Sequence, residues 1–176
     1  MIDNTNQKKR SISLFLYIFL TIIIISIDRI TKYIALKYHH AYLNIAPRIF
    51  HLPPLLNRGV SLELFNMTSH RMFFYLQLLG ICILCYFAYK CKIKYQNNKH
   101  ILGEALIIAG GVGNLIDRIF YKCVIDFIFF KLPIINYIPI CNIADFAITI
   151  GCFIVAFELF VEKNFNDRTT RNSNES

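Results

Sequence analysis

Two aspartates in this chain stand where an acid has to be explained. Asp126 closes the apolar phrase Val124-Ile125-Asp126, and Asp145 closes Asn142-Ile143-Ala144-Asp145. A charged Asp at the centre of a membrane helix costs about 2.5–3.5 kcal/mol, so an acid held in or beside an apolar span is a functional candidate. Two carboxylates brought close together cannot easily both ionise; one pKa rises and the pair shares a proton near neutral pH. Such a pair can hydrolyse an amide, one carboxylate taking a proton from water while its protonated partner gives one to the carbonyl oxygen. It can equally serve as a proton relay through a membrane.

Other polar residues fall at helical spacing. Asn114, Asp117 and Arg118 follow the cluster Gly110-Gly111-Val112-Gly113 and share one helix face by the i, i+3, i+4 rule, with Asp117 and Arg118 expected to act as structural glue. The glycines let a neighbouring helix or a substrate chain approach closely. They do not form a phosphate loop, because the Lys-Ser/Thr pair is missing. Asp28, Thr31 and Lys32 repeat the same spacing, with Asp28 and Lys32 placed to pair at the membrane edge or to grip a polar head group. In Asn57-Arg58-Gly59, the glycine permits a turn or a close approach and the asparagine offers both a donor and an acceptor. His39, His40 and His51 lack a second ligand set at metal spacing and are read as solvated loop residues, so no metal is assigned. The six cysteines show no paired spacing and are read as small hydrophobes.

The elements that must position these residues are membrane spans. At 56% apolar residues in 176, the chain is too hydrophobic for a soluble domain of its size. The net charge of +8 does not mark a nucleic-acid binder, since Lys and Arg gather at segment ends; the membrane surface is the partner they suit. Residues 1–10 form a basic start, and 11–37 a first span with no small-residue cleavage site after it, hence uncleaved. Residues 38–71 carry Pro47, Pro53 and Pro54, which exclude a long helix and predict short strands or turns on the membrane surface. Spans at 72–89, 101–119 and 143–161 follow, separated by loops at 90–100 and 120–142 and ending in a polar, disordered tail at 162–176. Ten of the nineteen Lys and Arg lie in 1–10, 90–100 and 162–176, which places both termini in the cytoplasm and Asn57, Asp126 and Asp145 together on the outer side.

Taken in order, Asp28-x-x-Thr31-Lys32, Asn57-x-Gly59, Gly110-Gly111-x-x-Asn114-x-x-Asp117-Arg118, Val124-x-Asp126-Phe127 and Asn142-x-Ala144-Asp145 resemble the bacterial lipoprotein signal peptidases, the signal peptidase II family. The resemblance covers most of the chain. It implies an all-α membrane protein of four transmembrane helices with a small extracytoplasmic β-like cradle between helices 1 and 2, in the bacterial cytoplasmic (inner) membrane. It further implies an aspartic endopeptidase without a cofactor, which cuts the signal peptide from prolipoproteins just before a diacylglyceryl-modified cysteine, among membrane lipids and as a monomer. Asp126 and Asp145 would be the catalytic dyad; Asn57, Gly59, Asn114, Arg118, Asn142 and Ala144 would bind substrate or orient the dyad; Asp28, Lys32 and Asp117 would support the architecture. The chain departs from the family pattern at Leu62 and Glu63, after the Asn-x-Gly motif, and at Cys141, where relatives often carry an aromatic. These departures bear on substrate preference rather than on the reaction. A proton-coupled carrier would use the same buried carboxylates, but no internal repeat relates the first two spans to the last two. A non-catalytic assembly factor would need neither aspartate.

Overall fold

The computed structural model describes residues 2–38, 50–57, 70–129 and 140–174. In chain order these form α1 (Ile2–Lys37), β1 (Phe50–Asn57), α2 (His70–Gln96), α3 (Leu102–Tyr121), β2 (Val124–Phe129), β3 (Ile140–Cys141) and α4 (Ile143–Asn174). Gly59, His39, His40, Leu62 and Glu63 lie outside the described residues.

The helices outrun the spans read from hydropathy. α1 and α4 have 36 and 32 residues, and a rise of about 1.5 Å per residue makes them roughly 54 and 48 Å long, beyond the roughly 30 Å of a bilayer core. The segment after residue 161, expected as a disordered tail, continues α4 as helix to Asn174. Among the described residues, three stretches are long and apolar enough to cross a membrane: Leu14–Lys37, Phe73–Gln96 and Ile143–Phe165. α3 is not among them, because every membrane-length stretch of its 20 residues contains Glu104, Asp117 and Arg118.

That exception has a structural reason: α3 is the central helix. It packs against α1, α2 and α4, and its buried face includes Glu104, Asn114 and Asp117. Outside, the pattern is apolar, with Phe153 73% and Phe157 68% exposed while Asp28, Lys32 and Asp117 are at 1% or below. Polar groups within and hydrocarbon without suit a lipid surround.

The glycines of α3 each admit a different neighbour. A methyl at Gly110 would meet the carbonyl of Ala144 on α4, one at Gly111 the side chain of Leu84 on α2, and one at Gly113 the carboxylate of Asp28 on α1. Seven residues before Gly110, Gly103 lies against Gly151, seven after Ala144, so small residues zip the antiparallel α3 and α4 together at two levels.

The described strands form an antiparallel sheet in the order β1-β2-β3. The cradle is therefore shared between both connections on this side: β1 comes from the segment between α1 and α2, whereas β2 and β3 come from the segment between α3 and α4. β1 pairs Leu55, Leu56 and Asn57 with Asp126, Ile125 and Val124, and its register shifts between Phe50 and Leu55. Pro53 and Pro54 fall inside that irregular stretch, as expected of residues with no N–H to give a ladder. The central strand is buried on both faces, with Phe127 and Ile128 packed on Ala35 of α1. Between α3 and β2 the chain turns at Lys122, whose φ of 59° is left-handed, and Lys122 Nζ donates to the Ile119 carbonyl at 3.2 Å, closing the helix end.

Candidate active site

Asp145 is fixed by the way α4 begins. Asn142 precedes the first helical residue, and its Oδ1 accepts from the Asp145 N–H at 3.0 Å while Asp145 Oδ2 accepts from the Asn142 N–H at 3.2 Å. This reciprocal pair is a capping box, with Asp in the place of the usual Glu. The same hydrogen bonds that start the helix thus aim a carboxylate at its mouth.

Asp126 reaches the same place from the central strand. Its Oδ2 accepts from Asn57 Nδ2 at 3.0 Å and its Oδ1 from Asn142 Nδ2 at 2.6 Å. Asn142 therefore touches both acids. Asn114, on α3, closes the set: its Nδ2 donates to Asp145 Oδ1 at 2.8 Å, while its Oδ1 accepts from Asn142 Nδ2 at 3.3 Å and Lys32 Nζ at 3.1 Å. Every donor and acceptor in this ring has one consistent direction, which fixes each amide's orientation.

Beneath the ring lies a charge-balanced cluster. Lys32 Nζ meets Asp117 Oδ2 at 2.7 Å, Asp28 Oδ2 at 2.9 Å and Asn114 Oδ1, which uses all three ammonium hydrogens. Arg29 bridges the same two acids, at 2.6 Å to Asp117 Oδ1 and 2.7 Å to Asp28 Oδ2, and donates to the Gly113 carbonyl at 3.0 Å. The two carboxylates also accept backbone N–H groups: Ala144 N–H to Asp28 Oδ1 at 3.1 Å, and Ile125 N–H to Asp117 Oδ2 at 3.3 Å. One network thus ties α1 and α3 to the strand bearing Asp126 and the helix bearing Asp145.

Both candidate acids open onto a cavity of about 370 Å³. Its polar end holds Asn57, Asn114, Arg118, Asp126 and Asp145, and the remainder is largely hydrocarbon from α2, α3 and α4. Burial, and next to it the charge of Asp145, pushes the Asp126 carboxyl up to about 6, against the opposing hydrogen bonds of Asn57 and Asn142.

The geometry thus brings together Asn57, Asn114, Arg118, Asp126, Asn142 and Asp145, with Ala144, Asp28, Lys32 and Asp117 behind them. One local expectation is corrected. Asp117 pairs with Lys32 and Arg29 of α1 rather than with Arg118, while Arg118 lines the cavity with Asp126 and Asp145. Thr31 turns its hydroxyl back onto the Ile27 and Asp28 carbonyls of its own helix and leaves the pairing to its neighbours. Arg29, to which the helical spacing assigned no role, is a full member of the cluster. At the far end of the bundle half-buried Lys94 on α2 spans buried Glu104 on α3 and half-buried Glu158 on α4, at 2.5 Å to each.

A central helix carrying buried acids, a two-carboxylate cavity and apolar outer helices define a membrane protein with hydrolase-like equipment. A family model described as signal peptidase (SPase) II matches residues 20–161. Lipoprotein signal peptidases of Clostridium novyi and Francisella tularensis subsp. novicida are 34% and 36% identical to this chain, covering 78% and 84% of it and 93% of each relative. Two solved structures of bacterial membrane enzymes, both by the in meso method, superpose with TM-scores of 0.66 and 0.63 at 21% and 24% identity, covering 84% and 82% of this chain and 89% and 92% of theirs; they show a shared fold. The chain belongs to the signal peptidase II family, and is a multi-pass membrane peptidase.

Proposed function

We propose that this protein is an aspartic endopeptidase that removes the signal peptide from diacylglyceryl-modified prolipoproteins, cutting just before the lipid-bearing cysteine, with Asp126 and Asp145 as the catalytic dyad. The observation that carries this reading is the convergence of both carboxylates on one cavity through Asn142, which hydrogen-bonds to each. The names of the relatives supply the substrate.

In the dyad's working state one proton is shared between the two acids. The ionised member takes a proton from water as the water oxygen bonds to the scissile carbonyl carbon, and the protonated member gives its proton to the carbonyl oxygen. Collapse of the tetrahedral diol breaks the C–N bond as the nitrogen takes a proton from one carboxyl and a diol hydroxyl returns its proton to the other, so that one water is consumed, a carboxylic acid and an amine are released, and the dyad again holds one proton. Asn57, Asn114 and Asn142 hold the carboxylates in place, Arg118 lines the substrate path, and Ala144, fully buried, gives its backbone N–H to Asp28 behind the dyad. Gly59 joins them by family resemblance. Asp28, Lys32 and Asp117 keep the elements in register.

The dyad lies where α1 and α3 end and α4 begins, opposite the end that carries Lys94 and Lys99. That separation supports a four-span layout with α3 as the internal third span, the dyad at the outer face and both termini in the cytoplasm. Lipid chains can then stay in the bilayer while water reaches the dyad from outside. Activity as a monomer is part of this reading.

The test is to incubate purified protein with a prolipoprotein carrying or lacking the diacylglyceryl group and to read the product's new N-terminus by mass spectrometry. A product beginning with the modified cysteine, formed from the modified substrate alone, is expected. Cleavage elsewhere, or none, contradicts the proposal.

A further inference from the structure

Gly80 stands apart from the other helix glycines. A methyl added at Gly103, Gly110, Gly111, Gly113 or Gly151 would strike a neighbouring helix, so packing accounts for each of them; at Gly80 it would meet nothing within 4 Å. Glycine inside a helix costs about 1 kcal/mol relative to alanine, and here no close helix contact offsets it. Gly80 does line the cavity that holds Asp126 and Asp145. Along α2 that cavity wall runs from Leu76 past Gly80 to Leu84, about 12 Å at the helical rise, and the walls opposite are Ile107 and Gly111 on α3 and Ile148 on α4. The missing side chain is thus a notch in the apolar wall of the cavity that the two carboxylates also line.

We propose that Gly80 is a specificity-determining residue: its notch receives an apolar side chain from the segment of substrate that enters the bilayer just before the scissile bond. This rests on the peptidase reading above. With the scissile bond at the dyad, the residues on its signal-peptide side have to occupy the cavity that Gly80 lines. Arg118 and Thr149 flank the polar mouth, so the apolar wall sorts side chains by size. Filling the notch therefore penalises a bulky substrate residue and spares a small one.

The experiment is a competition between two diacylglyceryl-modified substrates identical except for Leu or Ala at a position two to five residues before the modified cysteine, each position tried in turn, using wild-type protein, Gly80→Ala and Gly80→Leu. Because the site around the glycine is open, both variants are expected to fold, and the readout is the ratio of the two cleavage rates rather than either rate alone. At one position, the ratio of Leu-substrate to Ala-substrate cleavage is expected to fall by about tenfold or more in Gly80→Leu, the scale of a size mismatch in an apolar pocket, with Gly80→Ala intermediate. A ratio that stays within about twofold of wild type at every position overturns the proposal. So does a change in preference for acyl-chain length with no change in peptide preference, which would assign the notch to the lipid. If wild-type protein cleaves neither substrate, the peptidase reading itself has failed.

Discussion

Asn142 Nδ2 donates to Asp126 Oδ1 at 2.6 Å, the shortest of the bonds that hold the two acids in place. The same asparagine caps α4 through Oδ1 and its backbone N–H. Fold and site thus depend on different atoms of one residue, and the two roles can be separated. Asn142→Ser keeps a good capping oxygen and removes the donor to Asp126. Helix content and thermal stability in detergent should change little, while cleavage should fall by roughly 100-fold, the scale of one lost positioned donor. Activity within a few fold of wild type would deny that the contact orients Asp126.

The charge of Asp145 is the second cause, after burial, of the raised Asp126 pKa. Asp145→Asn should accordingly lower that value from about 6, with burial still holding it above an ordinary aspartate. Carbon NMR of labelled Asp carboxyls would follow the titration, and an unchanged or higher value would contradict the geometry. In the unmutated protein the shared proton is present at mildly acid pH and is lost as pH rises through about 6, so cleavage should decline on the alkaline side with one proton's slope. The same group favours the folded state most below 3.8, and that contribution is lost as pH rises through about 6.

Lys32 is 1% exposed and meets Asp28, Asp117 and Asn114. Lys32→Met leaves two buried carboxylates to Arg29 alone, and breaking a buried pair in this way costs about 3–5 kcal/mol. A marked fall in melting temperature is expected, together with loss of activity, since the cluster ties α1 and α3 to β2 and α4. A variant as stable as wild type would show the cluster to be dispensable.

Gly110 and Gly80 should behave oppositely. A methyl at Gly110 runs into the Ala144 carbonyl, whereas one at Gly80 meets open space. Gly110→Ala should destabilise by an overpacking cost of about 1–3 kcal/mol, and Gly80→Ala should be neutral or stabilise by up to about 1 kcal/mol. Thermal melts of the two single variants make the comparison, and equal shifts would contradict the packing described for α3.

Much of the site was legible in the sequence because its members recur at helical spacing or close apolar phrases. Asp126 and Asp145 stood out as acids that hydrocarbon would not tolerate without a purpose, Asn114 by its helical spacing, Asn142 through the family resemblance, and Asp28 with Lys32 as an i, i+4 pair. Arg29 and the true partners of Asp117 were hidden because the contacts run between α1 and α3, and spacing along a single helix announces no partner on another. The strand character of Val124–Phe129 was hidden too, since a short apolar run reads equally as a loop between spans. The tie from Lys94 to Glu104 and Glu158 joins three helices, and no local pattern announces it. α3 illustrates the limit from the other side, for the charges that fit it to the centre of the bundle weaken its signature as a span.

The most direct measurement compares wild-type protein with Asp126→Asn and Asp145→Asn in cleavage of a diacylglyceryl-modified prolipoprotein, each variant first shown by circular dichroism and gel filtration to be folded in detergent. The dyad account predicts that wild type trims the substrate while both folded variants lose essentially all turnover. Substantial cleavage by either variant would contradict it.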